Sequence, residues 1–183
     1  MSRTRIPLAL LLFTAFTALQ AQPRWATLIP EESTVGYHLD HPLHHVDATS
    51  KSVTFQLAGD PVQKQIKTIN AQADVTTFDS GNSNRDSHAM EVIDAITYPD
   101  VNFKSNTVTQ NGDSVTVTGK LTFHGETRDV VVKGIAKWSE NRLELHGGFD
   151  ISLTAFKIDR PSLLMIPVDD TLKFLIDAAF RWQ

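Results

Sequence analysis

Residues 114–126 read SVTVTGKLTFHGE. Val115, Val117, Gly119, Leu121 and Phe123 fall on one side of a period of two, and Thr116, Thr118, Lys120 and Thr122 on the other. A pleated strand sends successive side chains to opposite faces. The segment is therefore a strand with one face in an apolar core and the other in water. His124-Gly125-Glu126 ends it with a turn signal.

The same alternation recurs outward in both directions. It runs through Val35, Tyr37 and Leu39, through Val53, Phe55 and Leu57, and from Val101 to Phe103. It returns in Leu143, Leu145, Gly147, Phe149, Ile151 and Leu153. Leu172, Phe174, Ile176, Ala178 and Phe180 form the last run, with Leu175 and Ala179 interrupting its polar side. Asn111-Gly112-Asp113 and Ser139-Glu140-Asn141 separate runs as turns. One-sided strands in this number argue an antiparallel sheet that must close or pair, because open edges aggregate. Long strands suit an all-β closed barrel of about eight strands better than a short-stranded sandwich. Gly119, Gly134, Gly147 and Gly148 fall within strands and are expected at bulges or bends. Residues 80–95, SGNSNRDSHAMEVIDA, break the pattern: cap-forming residues lead into Met90 and Ile93 at helical spacing, so one short helix is inserted. A second helical turn is expected over Ser162-Leu163-Leu164-Met165, after Pro161.

Composition narrows the function classes. The 183 residues carry a formal charge of −4, with 41% hydrophobic and 21% charged residues, which fits one ordinary globular domain. No basic excess is available to track phosphates, so nucleic acid is not an expected partner. The absence of cysteine excludes disulfides, thiolate metal sites and a cysteine nucleophile. Residues 1–21, MSRTRIPLALLLFTAFTALQA, have a basic start, a 14-residue mostly apolar run from Ile6 to Leu19, and small Ala21 at a cleavage point. That is the grammar of a cleavable secretory signal, and the run is shorter than the roughly 20 residues that span a bilayer. The expectation is a signal over 1–21, a single domain over 22–183, and a periplasmic or secreted location without stable membrane insertion.

Three groups of residues carry a family resemblance. They are Asn84-Arg85-Asp86-Ser87-His88; Tyr98-Pro99 with Val101, Phe103 and Ser105; and Gly119-x-Leu121-Thr122-x-His124-Gly125-x-Thr127-Arg128-x-Val130. Together with Ser33-x-Val35-x-Tyr37-x-Leu39-x-His41, they resemble the YceI-like family over about residues 33–181. That resemblance implies a lipocalin-like barrel, in a secreted bacterial protein, that binds polyisoprenoids and similar amphiphiles without chemistry on them. The chain departs from the family pattern at Ala89-Met90-Glu91-Val92-Ile93 and at Pro42-Leu43-His44-His45, both near the barrel mouth. An eight-stranded barrel either fills itself or holds one small ligand, and the resemblance implies the second.

Strand parity then nominates the lining: Val35, Tyr37, Leu39, Phe55, Phe103, Phe123, Phe149, Ile151, Phe174 and Ile176. An isoprenoid chain gains about 0.8 kcal/mol for each methylene-sized unit buried against such a wall. His41 shares the inward parity at a strand end, and Arg85 and His88 enter the helix, so these three are the expected polar portal. His44 and His45 follow Pro42 and are expected in a loop.

Other constellations yield to plainer readings. His38, Asp40, His41, His44, His45 and Asp47 lie within ten residues and could build a metal site. Their spacing matches no ligand pattern, and His38 and His41 face opposite sides of a strand, so solvated histidines are expected instead. Asp86 is expected to cap the helix start while Arg85 pairs with an acid. The Thr122–Thr127 turn lacks a nucleophile elbow, and His124 is expected to satisfy nearby backbone. Asp169-Asp170 could contribute to a calcium site but is read as a charged loop. No catalytic residue and no metal or cofactor is therefore assigned. The expected function is carriage of a polyisoprenoid, isoprenoid quinone or other long amphiphile, with a bound lipid and a homodimer both compatible. A metal-binding or stress-response protein using His38–Asp47 is the alternative.

Overall fold

The computed structural model describes residues 22–182, so the signal expected over 1–21 lies outside the described residues. In chain order the strands are β1 (Arg24–Leu28), β2 (Thr34–His41), β3 (His44–Ser50), β4 (Val53–Asp60) and β5 (Gln65–Asp74). The helix α1 (Ser83–Val92) follows, and then β6 (Asp100–Asn111), β7 (Ser114–Phe123), β8 (Glu126–Ser139) and β9 (Arg142–Ser152). The small strands β10 (Ser162–Leu163) and β11 (Ile166–Pro167) precede the long β12 (Thr171–Trp182). Ten strands make one antiparallel sheet in the order β1-β4-β5-β6-β7-β8-β9-β12-β2-β3. The ring closes where β12 meets β1, with Ala26 opposite Trp182 and Leu28 opposite Phe180. β2 and β3 prolong β1 and β4 upward, so the wall is an eight-stave barrel whose staves follow one another in sequence.

Alternation places the core. Val115, Val117, Leu121 and Phe123 of β7 are all buried, on the side expected. The floor is filled by Leu57, Leu143, Phe180 and Ala136, with Ile66, Ile69 and Trp182 around them. Trp138 and Trp182 stack there at 5.8 Å and 6°. Ala179 interrupts the polar side of β12 for a local reason. The chain crosses its outer face between β1 and β2, where fully buried Ser33 accepts from the Ala179 N–H at 3.0 Å and donates to the Ile29 carbonyl at 2.8 Å.

Two sequence expectations are corrected. Residues 162–167 form a hairpin, not a helical turn, with Leu163 opposite Ile166. Its two loop residues, Leu164 (φ 53°) and Met165 (φ 64°), take the left-handed conformations of a type I′ turn, which strand twist favours. Each bulky residue held there costs about 1–2 kcal/mol. His44 and His45 stand in β3 rather than a loop: only Pro42 and Leu43 separate the strands, and His41 is paired with His44. Gly119 stands where a bulge was expected of it, paired with Ser105 beside the register shift of β6 between Ser105 and Thr107. A Cβ on Gly119 would stand 2.6 Å from the Phe103 ring, so the bare position lets that ring lie across the barrel.

Every long insertion emerges at one end. Residues 75–99, which carry α1, leave between β5 and β6 and close the upper gap beside β3, where Thr49 and Asp79 exchange backbone bonds at 3.0 Å. The β10–β11 hairpin rises between β9 and β12 at the same end. The opposite end has only tight turns over a packed floor.

Candidate functional site: the chamber under the helix

The upper barrel is hollow. A chamber of about 530 Å³ lies between α1, the β2–β3 turn, the β10–β11 hairpin and the barrel wall. A second cavity of about 110 Å³ lies deeper, among Val35, Phe55, Phe103, Phe149 and Ile176. Phe78, Val101 and Phe174 border both. Single small-molecule sites are commonly about 300–1,000 Å³, which the upper chamber matches.

The residues nominated by parity converge on this space. Tyr37, Leu39, Phe123 and Phe174 line the upper chamber, and Val35, Phe55, Phe103, Phe149, Phe174 and Ile176 line the lower. Ile151 borders neither and belongs to the buried wall packing around Phe156 and Leu172. Phe149 stacks on Phe174 at 5.0 Å, and Phe123 meets Phe174 edge-on at 6.5 Å, so aromatic rings form much of the inner surface. Gly134 and Gly147 face each other across β8 and β9 beside the lower cavity, where the strands approach so closely that a Cβ would meet the His146 carbonyl oxygen at 2.5 Å or the Lys133 carbonyl oxygen at 2.7 Å.

The polar groups cluster at the top. His41, Arg85 and His88 all border the upper chamber, together with His44, Asn84 and Asp86. His41 is buried, and both ring nitrogens are committed: Nδ1 accepts from the Leu43 N–H at 3.1 Å, and Nε2 donates to the Ile166 carbonyl at 2.9 Å. Its ring therefore ties the β2–β3 turn to the β10–β11 hairpin. Arg85 donates to the Ser80 hydroxyl at 2.8 Å and to the Ser80 carbonyl at 2.7 Å, rather than pairing with an acid. Asp86 accepts from the Ser80 N–H and hydroxyl, while the helix cap expected of it is Asn82, which accepts from the Asn84 and Arg85 N–H groups at 3.2 Å. Asp and Asn are equivalent caps, so position alone decides between them. His88 is mostly exposed and lies 3.8 Å from Glu91. Burial first, and then the Asp86 charge, push the Tyr37 phenol above its ordinary value.

The histidine-rich segment is split by its strands. His38 bonds Asp47 at 2.6 Å and Asp40 at 2.9 Å, with His45 beside Asp47 at 3.7 Å, while His41 and His44 border the chamber. Among the described residues no group of three or more such side chains converges as metal ligands. His124 donates to the carbonyl of Phe156, which is distant in sequence. Asp170 accepts from Ser152 and Thr154 and caps the turn after β9. Alternation could not find Phe78, Met90, Ile93 or Leu163 as lining, because they stand on loops, the helix and the hairpin. Only the helical spacing of Met90 and Ile93 pointed to a buried face.

Known proteins carry the same barrel. Residues 27–180 match the family model described as YceI-like domain. A UPF0312 protein of Pseudomonas savastanoi pv. phaseolicola is 27% identical over 153 residues, spanning 79% of this chain and 76% of that protein. BcnA of Burkholderia cenocepacia superposes with a TM-score of 0.75 at 21% identity, covering 84% of this chain and 99% of that one. A polyisoprenoid binding domain from Saccharophagus degradans, implicated in plant cell wall breakdown, superposes at 0.65 and 9% identity, covering 88% and 100%. With a family match over most of its length and the same closed barrel, the chain belongs to the YceI-like domain family.

Proposed function

We propose that this protein is a non-catalytic carrier of one long apolar or amphiphilic molecule of the polyisoprenoid, isoprenoid quinone or fatty-acyl kind. The observation that carries the proposal is the hollow upper barrel, apolar and aromatic within and polar only at its mouth. The tail enters between α1 and the hairpin and runs past Phe174 toward the packed floor. Burial of each methylene-sized unit then drives binding without directional chemistry. Asn84, His88 and His44 stand where a head group rests. A neighbouring fold described as a polyisoprenoid binding domain supports this ligand class. The basic-then-apolar segment 1–21 supports export to the periplasm or exterior, where such a carrier meets lipid.

Nothing at the mouth favours catalysis: Arg85 and Asp86 are engaged with Ser80, and His88 is solvated. The metal alternative loses support because His38 and His41 lie on opposite faces of β2.

Native mass spectrometry of protein purified without detergent tests the proposal. The expected result is one co-purifying lipid mass per chain, or stoichiometric uptake of an added prenol. A chain that stays bare with prenol in excess, yet takes up zinc, would overturn it.

A further inference from the structure

We propose that the hairpin of residues 161–168 is a membrane-docking tip whose partner is the acyl region of a lipid bilayer. The segment reads PSLLMIPV and carries no charge. Leu164 is 75% exposed and Met165 is 95% exposed, at the two positions where the backbone is left-handed. Asn and Gly are the ordinary occupants of such a turn. Large apolar side chains there are opposed both by backbone strain and by exposure to water, so folding does not account for them.

The hairpin is built to enter an apolar medium. Leu163 and Ile166 pair across it, and the Val168 N–H donates to the Pro161 carbonyl at 2.9 Å. His41 donates to the Ile166 carbonyl, and the Arg160 guanidinium donates to the Val168 carbonyl. Its ladder is thus tied down, as burial in lipid demands, and little ordering remains on docking. Leu43, 59% exposed, belongs to the same tip, because the His41 ring bonds both its N–H and the hairpin. So few side chains fall short of the roughly 800 Å² per partner that a stable protein interface needs, which disfavours a second copy. A bilayer sets no such threshold, since binding strength grows with the apolar area immersed. Pro161, Ser162 and Leu163 border the chamber, so an immersed tip sets the mouth against the acyl chains. In its use for loading, the inference rests on the carrier reading; docking itself needs no lipid inside the barrel.

The test is flotation of the exported chain, as cells process it, with vesicles of phosphatidylethanolamine and phosphatidylglycerol and with phosphatidylcholine vesicles. The informative variant is Leu164→Asn/Met165→Gly, which keeps and relaxes the turn while removing its apolar tip. It is expected to melt several degrees higher and to bind either vesicle about tenfold to a hundredfold more weakly, given the apolar area removed. Val62→Ser, at the opposite end of the barrel, is expected to bind as wild type, and added salt is expected to change little. Wild type that does not float, a variant that floats equally well, or equal loss in Val62→Ser would overturn the proposal. Concentration-dependent dimers that the variant abolishes, without flotation, would assign the tip to self-association and likewise overturn it. Prenol binding measured without vesicles separates the two readings. If it persists in the variant, carriage stands whatever the flotation shows. If every form fails to bind prenol while wild type floats, carriage falls and docking stands.

Discussion

His41 sits on the inward side of β2, as its parity with Val35, Tyr37 and Leu39 requires, yet both its nitrogens serve the protein. Replacing it with alanine leaves the Ile166 carbonyl and the Leu43 N–H without their partner. His41→Ala should therefore lower unfolding stability by about 1–3 kcal/mol, read by chemical denaturation. Unchanged stability with weakened ligand binding would return the ring to the head-group role that parity alone suggested. His38, one strand position from inward-facing residues, looks outward instead. Hydrogen bonds to Asp47 first, then Asp40, raise its proton affinity above the ordinary value. A raised imidazole stabilises the fold fully below the unfolded value of about 6.5, and the gain disappears as pH climbs through the folded value. The melting-temperature gap between wild type and His38→Asn should accordingly be widest below about pH 6.5 and close at alkaline pH. A gap that widens with pH would contradict the pairing. Opposite parity was legible for both histidines; their partners were not, because Ile166 and Asp47 reach them only through the folded strands.

At the scale of elements, the alternating runs fall on β2, β4, β6, β7, β9 and β12, each of which buries one face of a closed wall, and they do not reach β1, β3, β5 or β8. Where a local competitor acts, alternation fails. Residues 162–165 carry an apolar run short enough to read as a helical turn, but Pro161 and Pro167 bracket a two-residue loop whose positive φ values commit it to a hairpin. A short helix is legible within residues 80–95 and stands at Ser83–Val92, but its cap is Asn82 rather than the expected Asp86. Asn82 closes two backbone N–H groups at the head of the element that roofs the chamber. Asn82→Ala is expected to cost about 1 kcal/mol and to raise hydrogen exchange in the first turn of α1. Exchange that rises evenly across the barrel would mean that the roof has no separate stability.

Across the whole molecule, nine of the ten residues nominated by parity border one cavity or the other, since inward residues of a barrel are inward everywhere along a strand. It could not decide between a filled and a hollow barrel. That depends on Phe78 and on the close approach of β8 and β9 at Gly134 and Gly147, whose spatial neighbours only the closed ring supplies. The floor is filled around Leu57, Leu143 and Phe180, and the larger open space lies beneath α1 at the other end. The most direct test of that account is titration calorimetry of detergent-free protein with a long-chain prenol, on wild type and Ala89→Trp. Ala89 borders the upper chamber from α1, so the indole narrows it from the roof while leaving the barrel strands untouched. Wild type should bind saturably, one molecule per chain, with a negative heat-capacity change, and the narrowed variant should bind markedly more weakly while melting near the wild-type temperature. Saturable binding that survives undiminished in a folded Ala89→Trp protein, or none in wild type, would contradict the claim that the chamber is the site.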